Sequence, residues 1–328
     1  MTETTTYLSP NGQDTTRGDG PAMRIVVATV EGVATLRRET PATCWAITDR
    51  SLTDRHVGAL LFEPVSGKLF AGAHLDGGLW VSDDGAGARW RQLTSGLDRP
   101  HIYSLAARRI GDAVTIFAGT QPAALYRSDD FGDTWTELAS LREVPGTEKW
   151  TFPPAPHIAH VKCTVFHPDQ PTTIFALVEQ GALLKSVDDG RSWTEIASYT
   201  DPDDFAYRDT HRLIIGNDDS DVFYLATGEG LYRSGDGGAT WDHLTRRGEQ
   251  MGYPDFLFFD PRDENVVFLG GASLNPGRWR TEGLADSRIL RSVDAGNSWV
   301  DLDQGLPKPV VSAFEAMTLH HWDGGMML

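Results

Sequence analysis

Cysteine is scarce in this sequence: there are two in 328 residues, Cys44 and Cys163. That count excludes a disulfide framework and suits a reducing compartment, so a cytoplasmic location is expected. No apolar run is long enough to span a bilayer, and the N-terminal segment lacks the apolar stretch of a signal peptide. Residues 1–22, rich in Thr, Gly and Asp, are expected to form a disordered leader ahead of one domain, 23–328. Positive charge is also in short supply. Against 46 Asp and Glu stand 29 Lys and Arg, a net charge of −17. Nucleic acid and anionic membrane surfaces are therefore disfavoured as partners, while a protein partner stays open. Gly-rich phosphate loops, Cys-x-x-Cys pairs, His-Glu-x-x-His helices and Gly-x-Ser-x-Gly elbows are all absent.

Against these absences stands one phrase repeated five times, Ser-x-Asp-x-Gly-x-Thr/Ser-Trp. It occupies residues 128–135, 186–193, 234–241 and 292–299, with a looser copy at 82–90. The repeated aspartates are Asp84, Asp130, Asp188, Asp236 and Asp294, spaced by 46, 58, 48 and 58 residues. Such a period marks an array of supersecondary units. Between copies lie short strand-like runs and Gly turns, which read as four strands per repeat. Every residue type in the phrase has a loop role. The Asp accepts backbone N–H groups of its own turn, the Gly allows positive φ, and the Trp supplies apolar surface.

These residues resemble the BNR/Asp-box repeat of the sialidase-like propeller superfamily, from about Val26 to the C-terminus. The resemblance implies an all-β fold, a β-propeller of four-stranded blades. It implies little about function, because the superfamily includes sialidases, xyloglucan-degrading glycosidases, sortilin-type receptors and a photosystem assembly factor. Strand counting gives six blades. Arg24–Thr29, Val33–Arg37 and Trp45–Thr48 lack an innermost strand, and Ser312–Leu319 is expected to supply it, closing the ring between the two ends. A competing count treats His321–Leu328 as the start of a further blade, making the chain an incomplete seven-bladed propeller.

Aligning the innermost strands exposes a pattern. Phe-x-Pro anchors place His56, His160 and Tyr253 eight residues before a Pro, and the same phase gives His101 and His211 in two other blades. Four of the ten histidines thus share one phase. Converging imidazoles suit a divalent transition metal (Zn, Fe, Cu or Ni), with His56, His101, His160 and His211 as expected ligands. Glu315, close to the same phase, and Tyr253 are the expected catalytic assistants. Longer intervals at 142–157, 199–209 and 273–284 are expected to build a substrate rim from Lys149, Trp150, Arg278, Trp279 and Arg280, with His157 a further donor.

Three functions follow. The first is a metal-dependent enzyme at the His ring, of hydrolase, lyase or oxygenase type, acting on a small molecule or saccharide. The second is a sialidase-like glycosidase, although Arg24-Ile25-Val26 departs from that family's Arg-Ile-Pro signature and no arginine trio stands out. The third is a non-catalytic interaction scaffold.

Overall fold

The computed structural model describes residues 3–196, 208–246 and 251–328. The described residues fall into two compact units, Met1–Arg142 with Ala316–Leu328, and Glu143–Glu315.

The second unit holds three four-stranded meanders. Their inner strands are His160–Phe166, Thr210–Ile215 and Tyr253–Asp260. Each is followed outward by three antiparallel strands. Two of the second strands, Ile174–Glu179 and Phe223–Thr227, are buried at every residue. They carry Ile, Phe, Leu and Val on both faces, as strands covered on both sides must. The first unit holds two further meanders of this kind, with inner strands Val57–Glu63 and Ile102–Ile110.

The boxes fold as their composition demands. In the second box, Ser128 Oγ donates to Asp130 (2.7 Å) and accepts from Gly132 N (2.8 Å). Thr134 donates to Asp130 through both its backbone N–H and its hydroxyl. Gly132 has φ +88°, and a Cβ there would lie 2.6 Å from Phe70 of the adjacent sheet. Glycine is therefore what lets the box close onto its neighbour. Trp135 joins the same core, with Phe70, Leu93 and Ile116.

The N-terminal segment corrects the expectation of a disordered leader. Thr5–Leu8 and Thr15–Arg17 are strands. Thr5–Leu8 pairs in parallel with Arg24–Thr29 and completes that four-stranded sheet. The place assigned to Ser312–Leu319 is thus already filled, which corrects the proposed closure. Tyr7 explains the choice: it is buried and stacks on Phe62 with ring centroids 5.4 Å apart. The C-terminal strand Leu319–Trp322 instead pairs with Thr15–Arg17 and with Gly325–Met327 in a three-stranded sheet. Thr6, Thr16 and His320 link their side chains there by hydrogen bonds of 2.7 and 2.8 Å.

Candidate functional site

All five inner strands of the box-bearing sheets break their ladder at the same point. The shift falls between Val57 and Ala59, Ile102 and Ser104, Val161 and Cys163, Thr210 and Arg212, and Pro254 and Phe256. One residue is skipped each time: Gly58, Tyr103, Lys162, His211 and Asp255. A β-bulge of this kind re-aims a side chain out of the pleat. Two residues earlier stand His56, His101, His160, Asp209 and Tyr253. The observed register therefore corrects the expected phase in one sheet. His211 sits at the bulge, not with His160, and the residue equivalent to His160 is Asp209. The strand Thr210–Ile215 lacks the Phe-x-Pro anchor that fixes three of the others.

In the second unit these positions converge. Lys162 Nζ donates to Glu179 Oε1 (3.0 Å) and to Asp255 Oδ1 (2.9 Å). His160 Nε2 lies 2.6 Å from Glu179 Oε2. A carboxylate only accepts, so that nitrogen carries the proton. His211 Nδ1 lies 2.6 Å from the carbonyl oxygen of Pro254, so Nδ1 carries the other ring's proton. His211 Nε2 then faces Asp209 Oδ1 at 3.5 Å and Glu179 Oε1 at 3.7 Å. Glu179, Asp209 and His211 form a group whose ligand-type atoms all lie within 4.8 Å of one another. Gly228 makes room for it, because a Cβ there would come within 1.9 Å of Asp209 Oδ2.

The charges are tightly coupled. Burial opposes ionisation of Glu179, but Lys162 and His160 outweigh it and hold its carboxyl far below the usual range. Burial likewise opposes a charge on Asp255, and Lys162 with His211 still brings its pKa down. For His160 burial wins over Glu179 and lowers the pKa, so the ring is neutral near pH 7. For His211 burial and Lys162 work against protonation, yet Asp255 and Asp209 prevail and the pKa rises. Glu315 goes the other way from the buried carboxylates: the protein around it, and then Asp255, raise its pKa.

Aromatic side chains surround the cluster. Phe152 meets His160 edge-on at 4.7 Å, and Tyr253 packs on His211 at 4.6 Å. Trp279, on the short helix Pro276–Glu282, meets Tyr253 at 5.4 Å. Trp150 lies over Gly181, next to the end of the strand that carries Glu179. Of the expected rim, Trp150 and Trp279 are thus half-buried supports. Lys149, Arg278 and Arg280 are exposed, and Arg278 Nε bonds Glu282 at 2.6 Å. The expected donor His157 is exposed and turns Nδ1 onto Phe152 O at 3.0 Å. Residues 199–207 of the third expected loop lie outside the described residues.

In the first unit the equivalent positions gather histidines. His56 and His74 have ring centroids 4.4 Å apart, His74 and His101 4.9 Å, and Tyr103 stacks on His74 at 4.8 Å. Burial lowers the pKa of His56. Gly58 is required here too, since a Cβ would lie 2.1 Å from His74 Nε2. The structure thus groups His56 and His101 around His74, and His160 and His211 around Glu179. His160 Nε2 is engaged by Glu179. Lys162, Glu179, Asp209 and Asp255 escaped the sequence reading. Only the bulge position, two residues beyond His160 and Tyr253, could have pointed to Lys162 and Asp255.

A family model for the BNR-Asp box repeat matches residues 125–138. The xyloglucanase Xgh74A of Acetivibrio thermocellus is 28% identical over 207 residues, covering 56% of this chain and 23% of that enzyme. The chain thus spans less than a quarter of the curated relative's length. Among solved structures, an ancestral GH74 enzyme superposes with a TM-score of 0.61 at 16% identity, covering 77% of this chain and 32% of that one. YCF48 bound to a D1 peptide superposes with a TM-score of 0.57 at 16% identity, covering 87% and 80%. Identities this low speak to fold alone, and the fold they share is the one the repeats build: this chain is a BNR/Asp-box repeat β-propeller.

Proposed function

We propose that the chain is a hydrolase of glycoside-cleaving type, acting on a saccharide at the cluster around Lys162, Glu179 and Asp255. The observation that carries this reading is the convergence of Lys162, His211 and Asp255, at the bulge positions of three successive sheets, on the buried carboxylate of Glu179, beside aromatic rings. Buried charges are costly to assemble, and strongly perturbed groups of this kind concentrate at functional sites. Similarity to a xyloglucanase supports the substrate class.

Within the cluster the roles divide by environment. Asp255 keeps 24% of its side chain exposed, against 6% for Glu179. Asp255 is the base or nucleophile, and Lys162 keeps it ionised. Glu315, exposed and with its pKa raised, is the proton donor. Two carboxyls pushed in opposite directions are the arrangement such cleavage needs. Glu179, held by Lys162 and His160, positions the ammonium. Tyr253, Trp150 and Trp279 supply apolar faces to the sugar, and Lys149, Arg278 and Arg280 its polar rim.

The test is release of reducing ends from xyloglucan and from a panel of neutral and acidic glycans. Asp255→Asn and Glu315→Gln are expected to lower kcat by about 10²-fold or more with circular dichroism unchanged. Absence of release from every glycan, or full activity in both variants, overturns the reading.

A further inference from the structure

The bond from His211 Nδ1 to the Pro254 carbonyl has a consequence on the other side of the ring. A neutral His211 must point the lone pair of Nε2 at two carboxylates. Nε2 belongs to a fully buried side chain and has no hydrogen-bond partner among the described residues. Lone pair against anion is repulsive, so a positive charge belongs in that gap. We propose that His211 Nε2, Asp209 Oδ1 and Glu179 Oε1 bind one divalent transition-metal ion.

Four features support the assignment. The ring donates its other N–H to a backbone carbonyl, the orienting bond that ligating histidines usually make. The N···O gaps of 3.5 and 3.7 Å fit two ligands on one ion, since metal–ligand distances of about 2.0–2.2 Å place neighbouring donors roughly 3–3.5 Å apart. One imidazole with two carboxylates suits borderline ions such as Zn²⁺, Fe²⁺ or Mn²⁺ rather than Cu⁺. The charge also closes. Among the described residues Lys162 is the ammonium bonded to Glu179 and Asp255, and with Asp209 beside them the three carboxylates exceed it by two negative charges, which a divalent ion would cancel. His160, bonded to the other oxygen of Glu179, is a positioning residue that orients Oε1. The alternative occupant of the gap is a proton on Nε2.

The site stands or falls apart from glycan cleavage, because it is read by metal content. The full chain, purified without a histidine tag and stripped with EDTA, is dialysed against Zn²⁺, Mn²⁺ or Fe²⁺ and analysed by elemental mass spectrometry. One ion per chain is expected, with affinity at least tenfold lower in His211→Ala and in Asp209→Asn. His101→Ala, in the other unit, is expected to keep the ion. X-ray absorption of the zinc-loaded wild type tests the proposal without any variant, and is expected to show one imidazole among oxygen ligands. No ion from any of the three metals, an ion retained in both variants, or a shell with several imidazoles overturns it, and the first of these assigns the gap to a proton.

Discussion

The Asp-box shows how much one residue can hold. In four boxes the Thr or Ser hydroxyl donates to the aspartate at 2.6 Å, while the first Ser binds both the aspartate and the Gly amide. Ser128 is buried, so Ser128→Ala leaves the Gly132 N–H without its acceptor. The expected cost is about 1–3 kcal/mol, measured by denaturant unfolding. The aspartates make the boxes sensitive to acid. Hydrogen bonds from Ser192 and Thr240 hold Asp188 and Asp236 down to about 2. The unfolded groups titrate near 4, so their stabilisation is complete above about pH 4 and disappears as pH falls toward 2. Melting temperature is expected to drop across that window. The drop should be shallower in an Asp188→Asn, Asp236→Asn double variant, and an equal drop would place the acid sensitivity elsewhere.

At the scale of strands and sheets, the repeat made the meanders readable but hid the site. Box residues recur because each turn needs the same chemistry. Inner-strand starts diverge, because nothing in the sheet requires any one side chain there. His56, His101 and His160 therefore aligned correctly, while His211 took the place that belongs to Asp209. Glu179 gave no signal at all: its equivalents are His74, Gln121, Gly228 and Ala272, and only the fold makes it the centre of a cluster. The N-terminal strand was missed for a related reason. Thr5–Leu8 is four residues long, has no box and buries two adjacent residues, Thr6 and Tyr7, rather than alternating, so composition outweighed it. Its importance can be measured. Backbone amides paired across Thr5–Leu8 and Arg24–Thr29 are expected to resist hydrogen exchange, and Tyr7→Ala is expected to cost about 3 kcal/mol. Rapid exchange there would restore the leader. The bulge makes its own demand: Gly228→Ala drives a Cβ into Asp209 and is expected to destabilise the chain by about 1–3 kcal/mol.

Over the whole molecule, charge works against compactness. A net charge of −17 accumulates largely on exposed carboxylates, while few arginines and lysines offset it. Self-repulsion of that size favours the expanded chain, and salt weakens it. Surface pairs such as Arg17–Asp323, exposed on both sides, add little that salt could remove. Raising ionic strength from about 0.01 M to about 0.15 M shortens the screening length from about 30 Å to about 8 Å. Melting temperature at pH 7 is therefore expected to rise over that range. The cluster around Glu179 should not share in this effect, because buried pairs are screened far less than exposed ones. A variant that breaks it, Lys162→Met, leaves Glu179 and Asp255 without their ammonium. It should lower stability by about 3 kcal/mol or more at both ionic strengths alike. If salt restored that loss, the cluster would be solvated rather than buried, and the argument for its chemistry would fail with it.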